Sequence, residues 1–348
     1  MQPVSGERTK ANEKELFYFG WPSHYGGADT KADHLFRLLH NDFAITVVPS
    51  FPQQLQQRQW TAYLDELGIR YAALKDLPAS LNGVALSLCN ERFFTDGLCR
   101  EAKSRGLKVV WSVEMAWGHA GEREAIADGL IDRLLYVSAV QKQALDYESF
   151  CDVPTRMTGN YVDPAAFPFQ HRDSDHLTIG RLSRADPAKY PEDFPTFYEA
   201  LDVPRARFRV MAWSKELKQK YRRHSFDQRW ELLPPLAESQ LTFLQKLDLF
   251  VYPLGREVIE SWGRSTVEAM LTGAIPLVPQ GHNFAQLIVD GETGFICDDF
   301  GDYQRHAHRL SDDRGYRLAM SRACHEHAVN NLCNREEHLQ VWLEALDV

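Results

Sequence analysis

Long apolar runs, a basic surplus and paired cysteines are all missing from this chain of 348 residues. No stretch approaches the roughly 18 apolar residues that a membrane-spanning helix needs. The polar segment at the N-terminus lacks the apolar core of a signal peptide. A net charge of −9 argues against a general nucleic-acid binder, which carries an excess of Lys and Arg. We therefore expect a cytoplasmic protein with a flexible tail over about residues 1–14.

The six cysteines include no C-x-x-C pair, which excludes a zinc ribbon and gives no sign of a disulfide framework. Metal-ligating residue types do occur together in 324–327 (Cys-His-Glu-His), but the surrounding segment is polar and helical in pattern, which favours a solvated helix face. The one D-x-D motif, Asp173-Ser-Asp175, precedes a strand and is interpreted as a linker. The sequence thus predicts no metal site and no bound cofactor.

What the chain does have is a regular alternation of short apolar runs and longer amphipathic stretches, which predicts βαβ units and parallel sheets. Hydrophobic residues make up 44% and charged residues 25%, typical of a soluble globular protein. In the first half, the predicted strands are Leu16–Gly20, Phe43–Val48, Val84–Leu88, Lys108–Val113 and Arg133–Val137, with a helix opening at Gly26-Gly27 and running to about Leu39.

The strand pattern restarts after an aromatic and proline-rich stretch, Phe167-Pro-Phe169. We predict two α/β domains: residues 1–169, and residues 170–330 with a final helical segment, 331–348, packing back towards the first domain. Predicted strands in the second domain are His176–Gly180, Phe208–Ala212, Leu247–Tyr252, Ile275–Val278 and Gly294–Cys297.

Positive charge is concentrated in residues 204–229, where nine Lys or Arg face two acids, so this window is +7 and the rest of the chain is −16. One interpretation is a solvated helix face. The other is a surface for an anionic partner, such as the inner face of a membrane.

Two segments of the second half place charged residues at predicted strand ends. A strand ending in Gly180-Arg181, with Lys189 eight residues later, can bring two cations to one diphosphate. The run from Glu260 to Glu268 follows another strand, in the region where open α/β sheets bind ligands. Ser265 or Thr266 is the expected N-cap of the helix that carries Glu268, and a helix N-terminus attracts phosphate.

The same two acids could in principle form a hydrolytic pair. In a fully helical run, eight residues rise by about 12 Å and rotate away from a common face, whereas glycosidase carboxyls lie about 5–9.5 Å apart. Glu260 is expected in a loop, so this geometry favours two acids at opposite ends of one ligand.

Two further motifs follow: the return Gly273-Ala-Ile-Pro276 and the turn segment Asp290-Gly-Glu-Thr-Gly294-Phe. In this order, the four segments resemble the donor-binding domain of family 4 glycosyltransferases with the GT-B fold, in which two Rossmann-like domains with parallel sheets face each other across a cleft. The resemblance covers residues 155–300 well. The first half matches more loosely, and in Asn160-Tyr161-Val-Asp163 a tyrosine replaces the family's usual glycine.

The resemblance implies a retaining, metal-independent transfer of a sugar from a UDP- or GDP-sugar to an acceptor hydroxyl. Arg181 and Lys189 would hold the diphosphate, Glu260 the sugar hydroxyls and Glu268 the ribose. The remaining donor contacts that it implies are Ser261, Trp262, Gly263 and Arg264 along sugar and phosphate, Ser265 and Thr266 with helix N–H groups, Gly27 from the other domain, and Trp213 beside the base.

Near the reacting centre the family places a histidine after the strand that corresponds to Lys108–Val113. Either Glu114 or His119 takes that position here, and spacing does not decide between them. The acceptor would be a glycan, a lipid-linked sugar, a small molecule or another hydroxyl-bearing group. Residues expected on its side are Trp21, His24, Tyr25, Asp29, Lys31, Trp117 and His119. A sugar-nucleotide epimerase and a catalytically silent nucleotide-sugar-binding protein are the alternatives.

Overall fold

The predicted alternation of strands and helices is present as two parallel sheets. A computed structural model describes residues 14–23, 27–172 and 176–348, without the side chains of 27–29. The described chain divides into two units. The first contains the described residues up to Val137, then Ala144–Thr158 and Leu339–Val348, and the second contains Ser138–Gln143 and Gly159–His338.

The first unit is built on a parallel sheet of seven strands, in the order β3-β2-β1-β4-β5-β6-β7. Its strands are β1 (Lys14–Phe19), β2 (Phe43–Val48), β3 (Arg70–Tyr71), β4 (Val84–Leu88), β5 (Lys108–Val113), β6 (Arg133–Tyr136) and β7 (Thr155–Met157). The helices between them are α1 (Gly27–Leu39), α2 (Arg58–Glu66), α3 (Arg92–Thr95), α4 (Leu98–Ser104) and α5 (Glu122–Ala127). A further helix, α6 (Ala139–Leu145), follows β6 in the chain, and its residues up to Gln143 belong to the second unit.

The second unit has a parallel sheet of six strands, in the order β10-β9-β8-β11-β12-β13. Its strands are β8 (Thr178–Leu182), β9 (Arg207–Met211), β10 (Trp230–Leu233), β11 (Leu249–Val251), β12 (Ile275–Pro279) and β13 (Phe295–Cys297). Its helices are α7 (Phe194–Ala200), α8 (Lys215–Lys220), α9 (Gln240–Leu244), α10 (Arg264–Leu271), α11 (Phe300–Asp312) and α12 (Arg314–His327), and α13 (Arg335–Ala345) leads back to the first unit.

The central strands form from continuous apolar runs because both faces of each sheet are covered by helices. In the first unit, Trp111 on β5 is fully buried and its ring stacks on Phe93. In the second unit, Phe194, Tyr198 and Trp230 pack against one another over β9. Burial of such large side chains, at about 25 cal/mol per Å² of apolar area, accounts for most of the favourable folding energy.

The strands that sequence reasoning missed are short and lie at or near sheet edges: β3, β7 and β10. None of their residues is fully buried, so they lack the continuous apolar run that marks an interior strand. The division between the units falls between Thr158 and Gly159, earlier than the linker predicted near residue 170.

The last part of the chain packs within the first unit. Trp342 on α13 is fully buried. The Arg133 guanidinium on β6 donates to the main-chain oxygens of Glu344 and Ala345 at 2.8 and 3.0 Å, which satisfies carbonyls at the helix end. None of the helices in the described part of the chain is long and apolar enough to cross a membrane.

Candidate active site

A charged cluster lies beyond the carboxyl ends of β8 and β11 in the second unit. The Lys189 Nζ donates to Glu260 Oε2 at 2.8 Å, and the Tyr252 hydroxyl donates to the same oxygen at 3.1 Å. Both charged side chains are 14% exposed. The two residues that sequence reasoning assigned to phosphate and sugar therefore meet directly, across 71 positions of the chain.

The surroundings keep both members of this pair ionised. Burial disfavours the Lys189 ammonium, but the Tyr252 oxygen and the Glu260 carboxylate outweigh it and raise the pKa of Lys189. Burial by itself raises the pKa of Glu260, but Lys189 and the Tyr252 hydroxyl outweigh burial, so the pKa of the carboxyl is lowered. The cluster thus holds one fixed positive and one fixed negative charge at the strand ends.

Arg181, at the end of β8, lies beneath this cluster and is fully buried. Its guanidinium donates to the main-chain oxygens of Pro253 and Lys189, at 2.6 and 3.2 Å. The rings of Tyr190 and Tyr252 lie 4.0 and 4.3 Å from its central carbon. In this structure Arg181 therefore fixes the backbone beneath Lys189 and presents no donor to the surface; its contact with a diphosphate stays a prediction.

His282 supports Glu260 from a second direction. Its Nδ1 accepts the Glu260 main-chain N–H at 3.3 Å, which requires an unprotonated nitrogen at that position. Burial lowers the pKa of His282, although the Glu260 carboxylate opposes this, so the neutral imidazole is favoured.

The helix that carries Glu268 starts differently from the prediction. Gly263 is the N-cap, in a left-handed conformation with φ +97°, and α10 begins at Arg264. Ser265 and Thr266 are already helical, so their assignment as N-cap is wrong. A Cβ at position 263 would lie 2.9 Å from the Phe284 ring. A serine or threonine at position 263 would clash with that ring, so packing excludes the usual capping residues there.

The start of α10 presents donors that the fold leaves unused. The Thr266 N–H bonds to the Gly263 carbonyl at 3.0 Å, whereas the N–H groups of Arg264 and Ser265 bond to no other described residue. Arg264 Nη2 and the Thr266 hydroxyl are likewise buried without a partner in the described chain. Free N–H groups at the positive end of a helix attract anions, and phosphate is a common occupant.

Glu268 lies on the first turns of the same helix and is buried. Arg264 Nε donates to its Oε1 at 2.9 Å, and Arg264 Nη1 reaches the Tyr161 carbonyl at 3.3 Å. Burial raises the pKa of Glu268, and Arg264 opposes that rise without cancelling it. Glu260 and Glu268 thus occupy unlike surroundings, which lower the pKa of Glu260 and raise that of Glu268.

The residues between the two acids are held largely through their backbone. The Ser261 carbonyl accepts the Ser138 hydroxyl at 2.5 Å, and the Trp262 carbonyl accepts the Asn283 side-chain amide at 3.2 Å.

Trp213 is buried and stacks on Tyr221 with ring centroids 5.6 Å apart. One face of the Trp213 ring is therefore already covered by Tyr221. The predicted contact of Trp213 with a nucleotide base stays a prediction.

In the first unit, the structure separates the two candidates for the reacting centre. Glu114 is nearly buried and accepts from Lys31 Nζ and from the Ser112 hydroxyl, both at 2.7 Å. Lys31 is itself fully buried, with its ammonium 5.4 Å from the Trp342 ring centroid. Removing one partner of such a pair leaves an uncompensated buried charge, so the pair contributes to the stability of the first unit. A place for Glu114 at the reacting centre stays a prediction.

His119 occupies the loop after β5 and keeps part of its ring exposed. The Glu122 carboxylate accepts the His119 main-chain N–H at 2.7 Å and is itself anchored by Trp111 Nε1 and the Tyr147 hydroxyl. Glu122 therefore fixes the loop on which the imidazole stands. Sequence reasoning missed Glu122, Tyr252 and His282; for Glu122 and His282 no local motif gives a signal, whereas Tyr252 ends a predicted strand immediately before a proline.

The residues predicted on the acceptor side differ in exposure. Trp117 is half-exposed, whereas Trp21 is buried with its Nε1 bonded to the Gln57 side chain. Lys31 is buried in the pair described above. His24, Tyr25 and Gly26 lie outside the described residues, as does the side chain of Asp29. Gly27 is the first residue of α1, and its contact with a donor stays a prediction.

The basic window 204–229 only partly forms a charged surface. Arg209 is buried between Glu231 and Glu238, with both ion pairs at 2.5 Å, and Arg229 pairs with Asp227. Arg207 is exposed, and like Arg229 it lines a groove of about 680 Å³ at the amino ends of β8 to β10. Part of the apparent surplus is thus neutralised within the fold.

The other motif with metal-ligating residues is also used for packing. Cys324 is fully buried and donates to the Thr293 carbonyl, while His325 and His327 bond to main-chain oxygens of residues 271 and 287. The prediction that residues 324–327 form a solvated helix face is therefore wrong for Cys324. No group of three His, Cys, Asp or Glu side chains in the described chain is arranged to hold a metal. Asp173 and Asp175 lie outside the described residues.

Known proteins resemble this chain in fold, and residues 166–326 match the family model described as Glycosyl transferases group 1. HepE of Anabaena, crystallised with UDP and glucose, is 14% identical with a TM-score of 0.72, over 95% of this chain and 99% of that one. A glycosyltransferase from Rickettsia africae is 10% identical with a TM-score of 0.70, over 97% and 100%. Sucrose-phosphate synthase from Thermosynechococcus elongatus is 12% identical with a TM-score of 0.67, over 95% and 98%.

No curated protein sequence matches the chain. The structural likenesses cover nearly the whole chain, and each half of the chain carries one of the two parallel sheets. The matched segment 166–326 lies within the second unit, where the charged cluster and the start of α10 are found. The chain therefore has the GT-B fold, and its second unit contains a segment similar to the group 1 glycosyl transferases.

Proposed function

We propose that this protein is a glycosyltransferase that moves a sugar from a nucleotide-diphosphate sugar to an acceptor hydroxyl. The observation that carries the proposal is the arrangement in the second unit, where the Lys189–Glu260–Tyr252 cluster lies beside a helix start with unused N–H donors. Anionic and hydroxyl-rich parts of one ligand require such a combination of donors and acceptors. The group 1 match over the same residues supports it.

The donor that we propose is a UDP-sugar, with a GDP-sugar as the second choice. HepE has been crystallised with UDP and with UDP-glucose. The start of α10 would receive the phosphates, and Glu268 would bind the ribose hydroxyls. Lys189 and Glu260 are paired with each other in this structure. On donor binding, Lys189 would turn to the diphosphate and Glu260 to the sugar.

Catalysis would then rest on stabilising the leaving group. As the bond between the anomeric carbon and the phosphate oxygen breaks, negative charge develops on the diphosphate. The Lys189 ammonium and the helix N–H groups would offset that charge without a metal ion. Arg181 would act as a positioning residue, because its hydrogen bond to the Lys189 carbonyl fixes the segment that presents the ammonium.

We further propose that the anomeric configuration is retained. The acceptor oxygen would attack the face from which the diphosphate departs, and the acceptor proton would pass to the departing phosphate oxygen. His119 is preferred to Glu114 as the residue of the first unit near the reacting centre, because Glu114 is committed to Lys31. An inverted product in an NMR assay of the anomeric proton would exclude the retaining course.

The decisive experiment combines donor binding with turnover. A thermal-shift panel of nucleoside diphosphates and their sugars should show stabilisation by one base, and ligand at 100 times Kd contributes about 2.7 kcal/mol. Glu260→Ala should abolish transfer while the protein stays folded. Glu257→Ala is the matched control, since Glu257 is exposed in the same loop and should retain activity. Wild-type turnover in Glu260→Ala would refute the assignment.

Two other functions remain as alternatives with distinct outcomes. An epimerase of GT-B-like shape would convert the donor without any acceptor, and the products of that reaction are separable from transfer products. A silent binding protein would bind the nucleotide sugar tightly without hydrolysis or transfer to any acceptor. Saccharides, lipid-linked sugars and small hydroxylated molecules form the acceptor panel for this assay.

A further inference from the structure

Cys89 stands in an unusual backbone conformation at the carboxyl edge of the first sheet. It follows the last residue of β4, has a φ of +45°, and is partly exposed. Its main-chain N–H continues the pairing with β5 through the Ser112 carbonyl at 3.4 Å. A residue with a side chain is uncommon in this left-handed region, and such strain of about 1–3 kcal/mol concentrates at functional positions.

The His119 imidazole lies between this thiol and the Glu91 carboxylate. His119 Nε2 lies 3.4 Å from the Cys89 sulfur, and His119 Nδ1 lies 3.7 Å from Glu91 Oε2. One imidazole nitrogen therefore lies within hydrogen-bond distance of the thiol, and the other faces a largely exposed carboxylate beyond that distance. The Glu122 carboxylate holds the main chain of His119 from the opposite side, so the ring stands on a fixed loop.

The remaining cysteines of the described chain are placed differently. Cys151 is partly exposed, but its sulfur lies against the Tyr147 carbonyl at 3.2 Å and makes no hydrogen bond to a described histidine. Burial raises the thiol pKa of the other four and makes them unreactive; these are Cys99, Cys297, Cys324 and Cys333. Among the described cysteines, only Cys89 combines exposure with an adjacent base.

We propose that Cys89 is an activated thiol that hydrogen peroxide oxidises to a sulfenic acid, with His119 as the base. His119 removes the thiol proton, and the resulting thiolate attacks one oxygen of the peroxide. The O–O bond breaks, and the departing hydroxide takes the proton back from the imidazolium to leave as water. One thiol and one peroxide thereby give one sulfenic acid and one water. This reactivity does not depend on the proposed glycosyl transfer.

Two carboxylates face the histidine from neighbouring elements. Glu91 approaches the ring from the segment before α3, and Glu122 approaches the His119 main chain from α5. Both are acids on elements other than that of His119 itself. The geometry thus leaves the imidazole as the nearest base to the Cys89 thiol, at 3.4 Å.

The test measures the alkylation rate of each cysteine in the intact protein from pH 5.5 to 9, by iodoacetamide labelling and peptide mass spectrometry. An ordinary thiol is half ionised near pH 8.5 and only about 1% ionised two pH units lower. We expect Cys89 to react at least tenfold faster than Cys151 at pH 6.5, with a midpoint about one unit or more lower. Equal rates and midpoints for the two thiols would overturn the proposal.

Two variants distinguish activation of Cys89 by the His119 base from reactivity that arises only from solvent exposure. His119→Gln should return the pH midpoint of Cys89 to the ordinary range, and it should abolish trapping of a sulfenic acid by dimedone after peroxide treatment. His40→Gln is the matched control, because the His40 ring bonds to the main-chain oxygens of Phe36 and Arg37 in α1, and this variant should leave Cys89 unchanged. An unaltered profile in His119→Gln would overturn the role of the imidazole. If that variant does not fold, the wild-type comparison of Cys89 with Cys151 still decides the matter.

Discussion

The Lys189–Glu260 pair is expected to behave as a coupled unit in unfolding experiments. Both side chains are largely buried and lie 2.8 Å apart. Removing one partner of a buried pair leaves an uncompensated charge, at a cost of about 3–5 kcal/mol. We expect Lys189→Met or Glu260→Gln alone to lower stability near the lower limit of that range. In Lys189→Met, the Tyr252 hydroxyl still donates to the remaining Glu260 carboxylate.

The double variant should recover most of this loss, because it removes both charges at once. Each single change should lower Tm by about 6–12 °C, given about 2–4 °C per kcal/mol for a domain of this size. The assay is urea and thermal unfolding of all four proteins, which yields the interaction energy directly. An exposed pair in the first unit, Arg100–Asp128, is the control and should show little coupling. Additive effects at Lys189 and Glu260 would refute the reasoning.

The pH dependence of the same pair follows from its shifted pKa values. Glu260 has a lowered pKa, so its contribution is complete above the unfolded value of about 4.3 and is lost as pH falls through the folded value. Lys189 has a raised pKa, so its contribution is complete below about 10.4 and is lost at still higher pH. The difference between wild type and double variant should therefore be flat from about pH 5 to pH 9.

Three further changes test the surroundings of the pair. Gly263→Ala places a Cβ 2.9 Å from the Phe284 ring at φ +97°, so circular dichroism melts should show a loss of about 2 kcal/mol or more, and calorimetry weaker donor binding. His282 has a lowered pKa, so stability and donor affinity should fall as pH drops below about 6.5, and His282→Gln should flatten that profile; an unchanged profile would contradict this. Glu268→Gln should cost less stability than Glu260→Gln, because burial already disfavours the Glu268 carboxylate, and it should raise KM for the donor; equal losses in urea unfolding would contradict this.

The interior strands were predictable because their pattern is local. Phe43–Val48, Val84–Leu88 and Lys108–Val113 have the predicted bounds, since continuous apolar runs leave little choice for strands covered on both faces. Edge strands such as Arg70–Tyr71 were not predictable in this way, because one exposed and one partly exposed residue carry no periodicity.

Several residues of the site were predictable from the sequence, but the contacts between them were not. Lys189 and Glu260 lie in separate segments that follow two different strands, and only the fold shows that they form one ion pair. Arg181 has the sequence surroundings of an exposed ligand-binding cation. Its burial depends on Tyr190 and Tyr252, which belong to two other segments, so no local pattern could reveal it.

The path of the last ten residues affects how the protein can be made. Leu339–Val348 belong to the first unit, yet they follow the whole of the second unit in the sequence. During synthesis, the first sheet therefore emerges from the ribosome long before Trp342 and the carbonyl partners of Arg133 are available. The second unit is nearly continuous in sequence and can be complete earlier. We therefore expect the final packing of the first unit to follow the synthesis of the second unit rather than precede it.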